Sequence, residues 1–123
     1  MGIDYGKKRV GVALSDTNGR VAFPETILKN DATFMPTLLA LIEKKEVKAI
    51  VLGHSKNLDG SDNALQVSVN ELMTDLTLAT GLPVHLEAEF FSTQEAKRWQ
   101  GKTEHLDAQA AAIILDRFLV KQQ

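Results

Sequence analysis

No cysteine occurs anywhere in the chain. Disulfides and thiolate zinc sites are therefore excluded, and a reducing compartment, the cytoplasm, is the expected location. Long hydrophobic runs are also missing. Each apolar stretch is short and broken by charge, so no membrane contact is expected. The opening residues lack the basic and apolar regions of a signal peptide. The first strand-like run starts almost at residue 1, and a few further residues are expected upstream. Excess positive charge is absent too. The formal net charge is −2 and the pI about 5.9, so no global basic field advertises nucleic acid. Any phosphate contact has to use a local patch of cations.

What is present is the balance of a globular protein with a real core: 44% hydrophobic and 24% charged residues. The 123 residues suit one domain, 1–123. They hold no linker, repeat or low-complexity segment. Residues 2–5 and 9–15 read as a hairpin around Gly6-Lys7-Lys8, followed by an Asp16-Thr17-Asn18-Gly19 turn. Val21 to Leu28 reads as a strand placed at an edge by Pro24. Thr33 to Lys45 has helical spacing at Phe34, Leu38, Leu39 and Ile42. Lys48 to Gly53 is a short apolar run suited to a buried parallel strand, and residues 54–62 read as a loop.

Asn63 to Thr80 reads as a long helix stopped by Gly81 and Pro83. Val84 to Phe90 alternates like a strand. Ser92-Thr93-Gln94-Glu95 is a capping-box pattern opening a helix to about Gln100. A final Ala-rich helix runs from about Asp107 to Val120, with Ala110, Ala111 and Ala112 allowing close approach to a sheet. The order β-β-β-α-β-α-β-α-α predicts an α/β fold, a five-stranded mixed sheet with helices on both faces.

In that order the first strand is central, and Asp4 lies at its carboxyl end. Glu89 closes the last strand and Asp107 opens the last helix, so three acids from separate segments reach one edge of the sheet. Hard oxygen ligands of this kind suit Mg²⁺ or Mn²⁺ and phosphodiester hydrolysis. Each acid also has an ordinary role. Asp4 precedes a turn, Glu89 competes with Glu87 on the same strand face, and Asp107 suits a helix start.

Asp4-Tyr5-Gly6-Lys7-Lys8-Arg9-Val10-Gly11-Val12-Ala13-Leu14-Ser15-Asp16 resembles the opening motif of the Holliday-junction-resolvase-like family of YqgF type, the pre-16S rRNA nuclease group. Gly53 with Lys56-Asn57-Leu58-Asp59-Gly60-Ser61 resembles its second motif. Ser92-Thr93 with Glu95-Ala96 resembles the end of its third, and Asp107-Ala108-Gln109-Ala110-Ala111 its last. The resemblance covers essentially the whole chain. It implies the ribonuclease H-like fold, with Asp4, Glu89 and Asp107 as the catalytic, metal-binding acids. Two departures stand out. Ala88-Glu89-Phe90 replaces the family's Asp-Glu-Arg, and Gly53-His54-Ser55 replaces its Gly-Leu-Pro, which puts His54 in a loop beside the cleft.

Lys7, Lys8 and Arg9 form a small basic edge suited to a phosphate backbone, and equally a solvated hairpin tip. Lys97 and Arg98, with Lys102, form a second cluster, and Lys56 lies in the second motif. These are the expected nucleic-acid contacts. Trp99, Phe90 and Phe91 suit base stacking or core packing.

The function implied is a metal-dependent endonuclease on structured nucleic acid, trimming the 5′ end of precursor 16S rRNA. The alternatives are a resolvase of branched DNA, or an RNA-binding assembly factor weakened in catalysis by Ala88 and Phe90. A monomer or weak homodimer is expected.

Overall fold

A computed structural model describes residues 1–55, 64–89 and 105–122. The described elements are β1 (Gly2–Tyr5), β2 (Arg9–Ser15), β3 (Ala22–Lys29), α1 (Phe34–Lys44), β4 (Ile50–Ser55), α2 (Ala64–Thr80), β5 (Val84–Glu89) and α3 (His105–Lys121). The strands form one sheet in the order β3-β2-β1-β4-β5. β1 pairs antiparallel with β2 and parallel with β4, β2 pairs antiparallel with β3, and β4 pairs parallel with β5. The sheet is therefore mixed, and Asp4 stands on its central strand, as the element order predicts.

Alternation along the strands divides the core in two. Ile3, Val10, Val12, Leu14, Ile50 and Leu52 pack against Phe34, Leu38 and Ile42 of α1 and Val69, Leu72 and Leu76 of α2. Ala13 and Val51 face the other way, against Ala111, Ile114 and Leu115 of α3. β4 is covered on both faces, which is why Ile50-Val51-Leu52 is apolar without a break. β3 is an edge strand. Its pairing with β2 shifts register where Val12 faces Thr26 and Ala13 faces Pro24, so the proline sits at an irregularity of the edge ladder, where it is tolerated.

Local signals fix the turns and ends. The Asp16 carboxylate accepts hydrogen bonds from the backbone N–H groups of Arg20 and Val21, which hold it below the usual carboxylate range. Gly19 takes a positive φ of 68°. Helix α2 ends at Gly81 (φ 70°), whose N–H returns to the Thr77 carbonyl. Helix α1 ends in a Schellman motif: Glu46 N–H donates to the Glu43 carbonyl and Val47 N–H to that of Ile42. Glu46 occupies the left-handed position with φ 54°, where glycine is the usual residue.

The structure corrects the loop expected to start at residue 54. Strand β4 continues through His54 and Ser55, paired with Ala88 and Glu89. The two-residue period gives position 54 the α1/α2 face, opposite that of Val51, because the parallel ladder offers β5 as a template for two more residues. Helix α3 begins at His105, two residues before the expected start. The helix expected from Ser92 to Gln100, with Trp99, Phe90 and Phe91, lies outside the described residues, as do Lys56 and Lys102.

At Gly2 the sheet and α3 come close together. A Cβ there would stand 2.7 Å from the Ala111 carbonyl oxygen and 2.7 Å from Leu115 Cβ. Gly2→Ala is expected to lower stability by about 1–3 kcal/mol, the usual cost of overpacking, measured by urea unfolding. An unchanged midpoint would mean that α3 shifts freely. Glu46→Gly has the opposite expectation, a gain of about 0.5–1 kcal/mol from relief of the left-handed backbone, checked by the same titration.

Candidate functional site

Asp4 is half-buried near the carboxyl end of β1. Gly2, two residues earlier, faces α3, so strand alternation gives Asp4 the α3 face. Its partner on β2 is Gly11. On the other side the β1–β4 register pairs Gly2 with Val51 and Ile3 with Leu52, which brings Gly53 into the row of Asp4. Glycines on both neighbouring strands leave the sheet around Asp4 without side chains. The aspartate in an apolar strand thus stands where both neighbouring strands carry glycine.

The other two candidate acids arrive from opposite sides. Glu89 ends β5 opposite Ser55, and Glu87 lies opposite Gly53. The strand period gives positions 87 and 89 the same face. The Glu87 side chain is 6% exposed and its Oε1 accepts a 2.7 Å hydrogen bond from Lys121 Nζ of α3. The face is therefore that of α3, and Glu87, the competitor of Glu89, is committed to an ion pair. Asp107 lies in the first turn of α3. Ala108 and Gln109 just after it line a cavity of about 280 Å³ with Pro24, Glu25, Thr26 and Ile27. Ile27 pairs with Gly11, and Gly11 with Asp4. The first turn of α3 thus reaches the row of the sheet that contains Asp4.

The backbone places all three positions on one face, around one end of the sheet. The side chains of Glu89 and Asp107 lie outside the described part of the structure. Among the described residues, no group of three or more His, Asp or Glu side chains is arranged to hold a metal ion. His85 is not near such a group: its ring lies 4.8 Å from that of Phe118, a packing contact on α3.

The basic edge is exposed as expected, with Lys7 and Lys8 in the turn and Arg9 opening β2. Arg9 and Gly11 share a strand face, so Arg9 lies on the Asp4 side of the sheet. Lys97 and Arg98 lie outside the described residues. Sequence reasoning missed two residues at this edge, Lys29 and Asn30. Lys29 is the ladder partner of Arg9. Asn30 Nδ2 donates to the Gly6 carbonyl at 2.8 Å, and its backbone N–H donates to the Lys8 carbonyl at 2.9 Å. The only local signal was their position at the end of the third strand, and the pairing that matters is between residues 20 apart.

Known proteins resemble this chain over nearly its whole length. The RuvX family profile, described as a Holliday junction resolvase, matches residues 1–121. A protein of Nitratidesulfovibrio vulgaris named "Putative pre-16S rRNA nuclease" is 39% identical, over 97% of this chain and 91% of its own. Proteins with the same name from Maridesulfovibrio salexigens and Coxiella burnetii are 37% and 36% identical, over 98% and 100% of this chain and 97% and 93% of theirs. Among solved structures, Thermus thermophilus RuvC superposes with a TM-score of 0.61 at 16% identity, covering 98% of this chain and 93% of that one. The same protein in complex with a Holliday junction substrate gives 0.62 at 14% identity, with 98% and 92% covered. These two likenesses carry the fold, which is ribonuclease H-like.

The Glu87–Lys121 pair has an asymmetric test. Lys121→Met leaves a buried carboxylate without its cation and is expected to cost about 1–3 kcal/mol. Glu87→Gln combined with Lys121→Met should recover part of that loss. Unfolding in urea at neutral pH measures both. A double variant as unstable as Lys121→Met would show that lost packing, not the stranded charge, sets the cost.

Proposed function

The chain belongs to the RuvX family of Holliday junction resolvase-like proteins, and from that we propose that it is a metal-dependent endonuclease of structured RNA, acting on the 5′ extension of precursor 16S rRNA. The observation that carries the proposal is Asp4 on the central strand, between Gly11 and Gly53, with positions 89 and 107 on the same face. Relatives at 36–39% identity named as pre-16S rRNA nucleases support the choice of RNA.

The donor chemistry fits a divalent metal. Three carboxylates supply hard oxygen ligands, the chain has no thiolate, and the glycines beside Asp4 keep room on the face. Such a set suits Mg²⁺ or Mn²⁺. Asp4, Glu89 and Asp107 are the residues that would hold the ions. When bound, the metal supplies Lewis-acid activation of water and charge stabilisation at the phosphodiester.

The rest of the work falls to the chain itself. Asp4 sits half-buried, where its charge is screened less than at the surface. Lys7, Lys8 and Arg9 draw the phosphate backbone toward it, with Lys56, Lys97 and Arg98 as further contacts. Because the protein carries a net charge of −2, these local cations set the affinity. The ion pair between Glu87 and Lys121 removes a competing carboxylate from the same face.

Cleavage of a 5′-extended 16S precursor fragment, compared with a four-way DNA junction, tests the proposal with Mg²⁺ or Mn²⁺ present. RNA is expected to be cut, and Asp4→Asn to lower the rate by at least about 100-fold, beyond the 10–100-fold typical of outer-shell partners of a metal. Junction cleavage without RNA cleavage would favour a resolvase. Binding of RNA with no cleavage by wild type would leave an assembly factor weakened by Ala88 and Phe90.

A further inference from the structure

The end of β3 places two cations side by side on the face of Asp4. Arg9 and Lys29 are directly opposite each other in the β2–β3 ladder, and both are exposed. Like charges at facing positions destabilise a sheet. Leu28 packs into the core on the α1 side, so alternation gives Lys29 the other face, the face of Asp4 and Arg9. The next residue, Asn30, grips the hairpin turn at two carbonyls, those of Gly6 and Lys8, on either side of Lys7. The turn is tight, since a Cβ on Gly6 would stand 2.6 Å from the Arg9 carbonyl oxygen, and Asn30 ties it to the end of β3.

We propose that Lys29 binds a backbone phosphate of the substrate beside the one at Asp4, together with Arg9, and that Asn30 is a positioning residue that holds the Lys7-Lys8 turn for the same strand. The inference rests on the nuclease function proposed above and adds two residues to it. Strand spacings put the Arg9 Cα about 8 Å and the Lys29 Cα about 12 Å from that of Asp4. A lysine at that distance serves a neighbouring phosphate rather than the reacting one. Lys29 therefore sets the register of the strand without entering the chemistry. Asp31 nearby stays ionised: the Thr33 hydroxyl and backbone N–H, and then the charge of Lys29, hold its carboxylate below the usual range, so it offsets part of the Lys29 charge and the phosphate contact draws on Lys29 and Arg9 together.

The test is equilibrium binding of a fluorescein-labelled RNA hairpin with a 5′ extension, across a NaCl series, with Ca²⁺ as the only divalent cation. Lys29→Ala is expected to make the log–log salt slope shallower by about one unit, and Lys29→Arg to restore it. Lys48→Ala, at the far end of the sheet, should match wild type. Asn30→Ala removes no charge, yet it should also flatten the slope, because the Lys7-Lys8 turn drifts from the strand. Asn30→Ser is the substitute if the alanine variant melts below the assay temperature. A wild-type slope in Lys29→Ala overturns the role of Lys29, and one in the Asn30 variant overturns that of Asn30. Wild type without salt-dependent RNA binding overturns the nuclease proposal itself, and this inference with it. Loss of the phosphate contact with binding otherwise intact touches only the inference.

Discussion

The contact between Gly2 and α3 is the constraint on which the rest depends. A helix can cross a sheet closely only where the strand beneath it carries no side chain, and Gly2 is such a place, under Ala111 and Leu115. The approach seals Ala13 and Val51 from water. It also fixes the height of α3 above the sheet, and so where its first turn meets the row containing Asp4. The small side chains of the final helix are therefore part of the site's geometry although none of them touches it. At the other end of the helix, Lys121 reaches Glu87 on β5. The helix is held on two sides of the sheet, by apolar packing at the centre and by an ion pair at the edge.

Glycine and charge divide the labour around Asp4. Gly11 clears one neighbouring strand and Gly53 the other, so no side chain from the adjacent ladder positions crowds the aspartate. Acids gathered on one face repel one another, and burial raises the cost. The protein answers with cations at the rim. Lys7, Lys8, Arg9 and Lys29 crowd the ends of β2 and β3, while Lys121 neutralises Glu87. An overall negative charge is thus compatible with a phosphate-binding edge, because attraction at close range depends on local cations and not on the total.

Membership of the RuvX family covers nearly the whole chain, and the departures that the sequence resemblance implies, at Ala88 and Phe90, stand on either side of Glu89. Position 88 pairs with His54 across the parallel ladder, and alternation gives both the α1/α2 face. The departures at 54 and 88 are therefore neighbours in the sheet although 34 residues apart in sequence. They lie on the face away from Asp4.

Much of the fold was legible in the sequence because its signals are local. The two-residue period of β2, the Pro24 break in β3, the Gly81-Pro83 stop of α2 and the continuous apolar run of β4 each act within a few residues. Asp4 as the acid to watch was legible too, since a carboxylate inside an apolar strand demands a reason. The sequence could not decide between Glu87 and Glu89, which share a face and a chemistry. Only packing of α3 across β5 assigned Glu87 to Lys121. Nor could it place His54, because the last two residues of β4 are held in the ladder by β5. Lys29 and Asn30 stayed invisible for the same reason. Their importance comes from cross-strand partners that periodicity along the chain does not encode, and hydrogen bonds between distant residues exist only once the sheet has set their register.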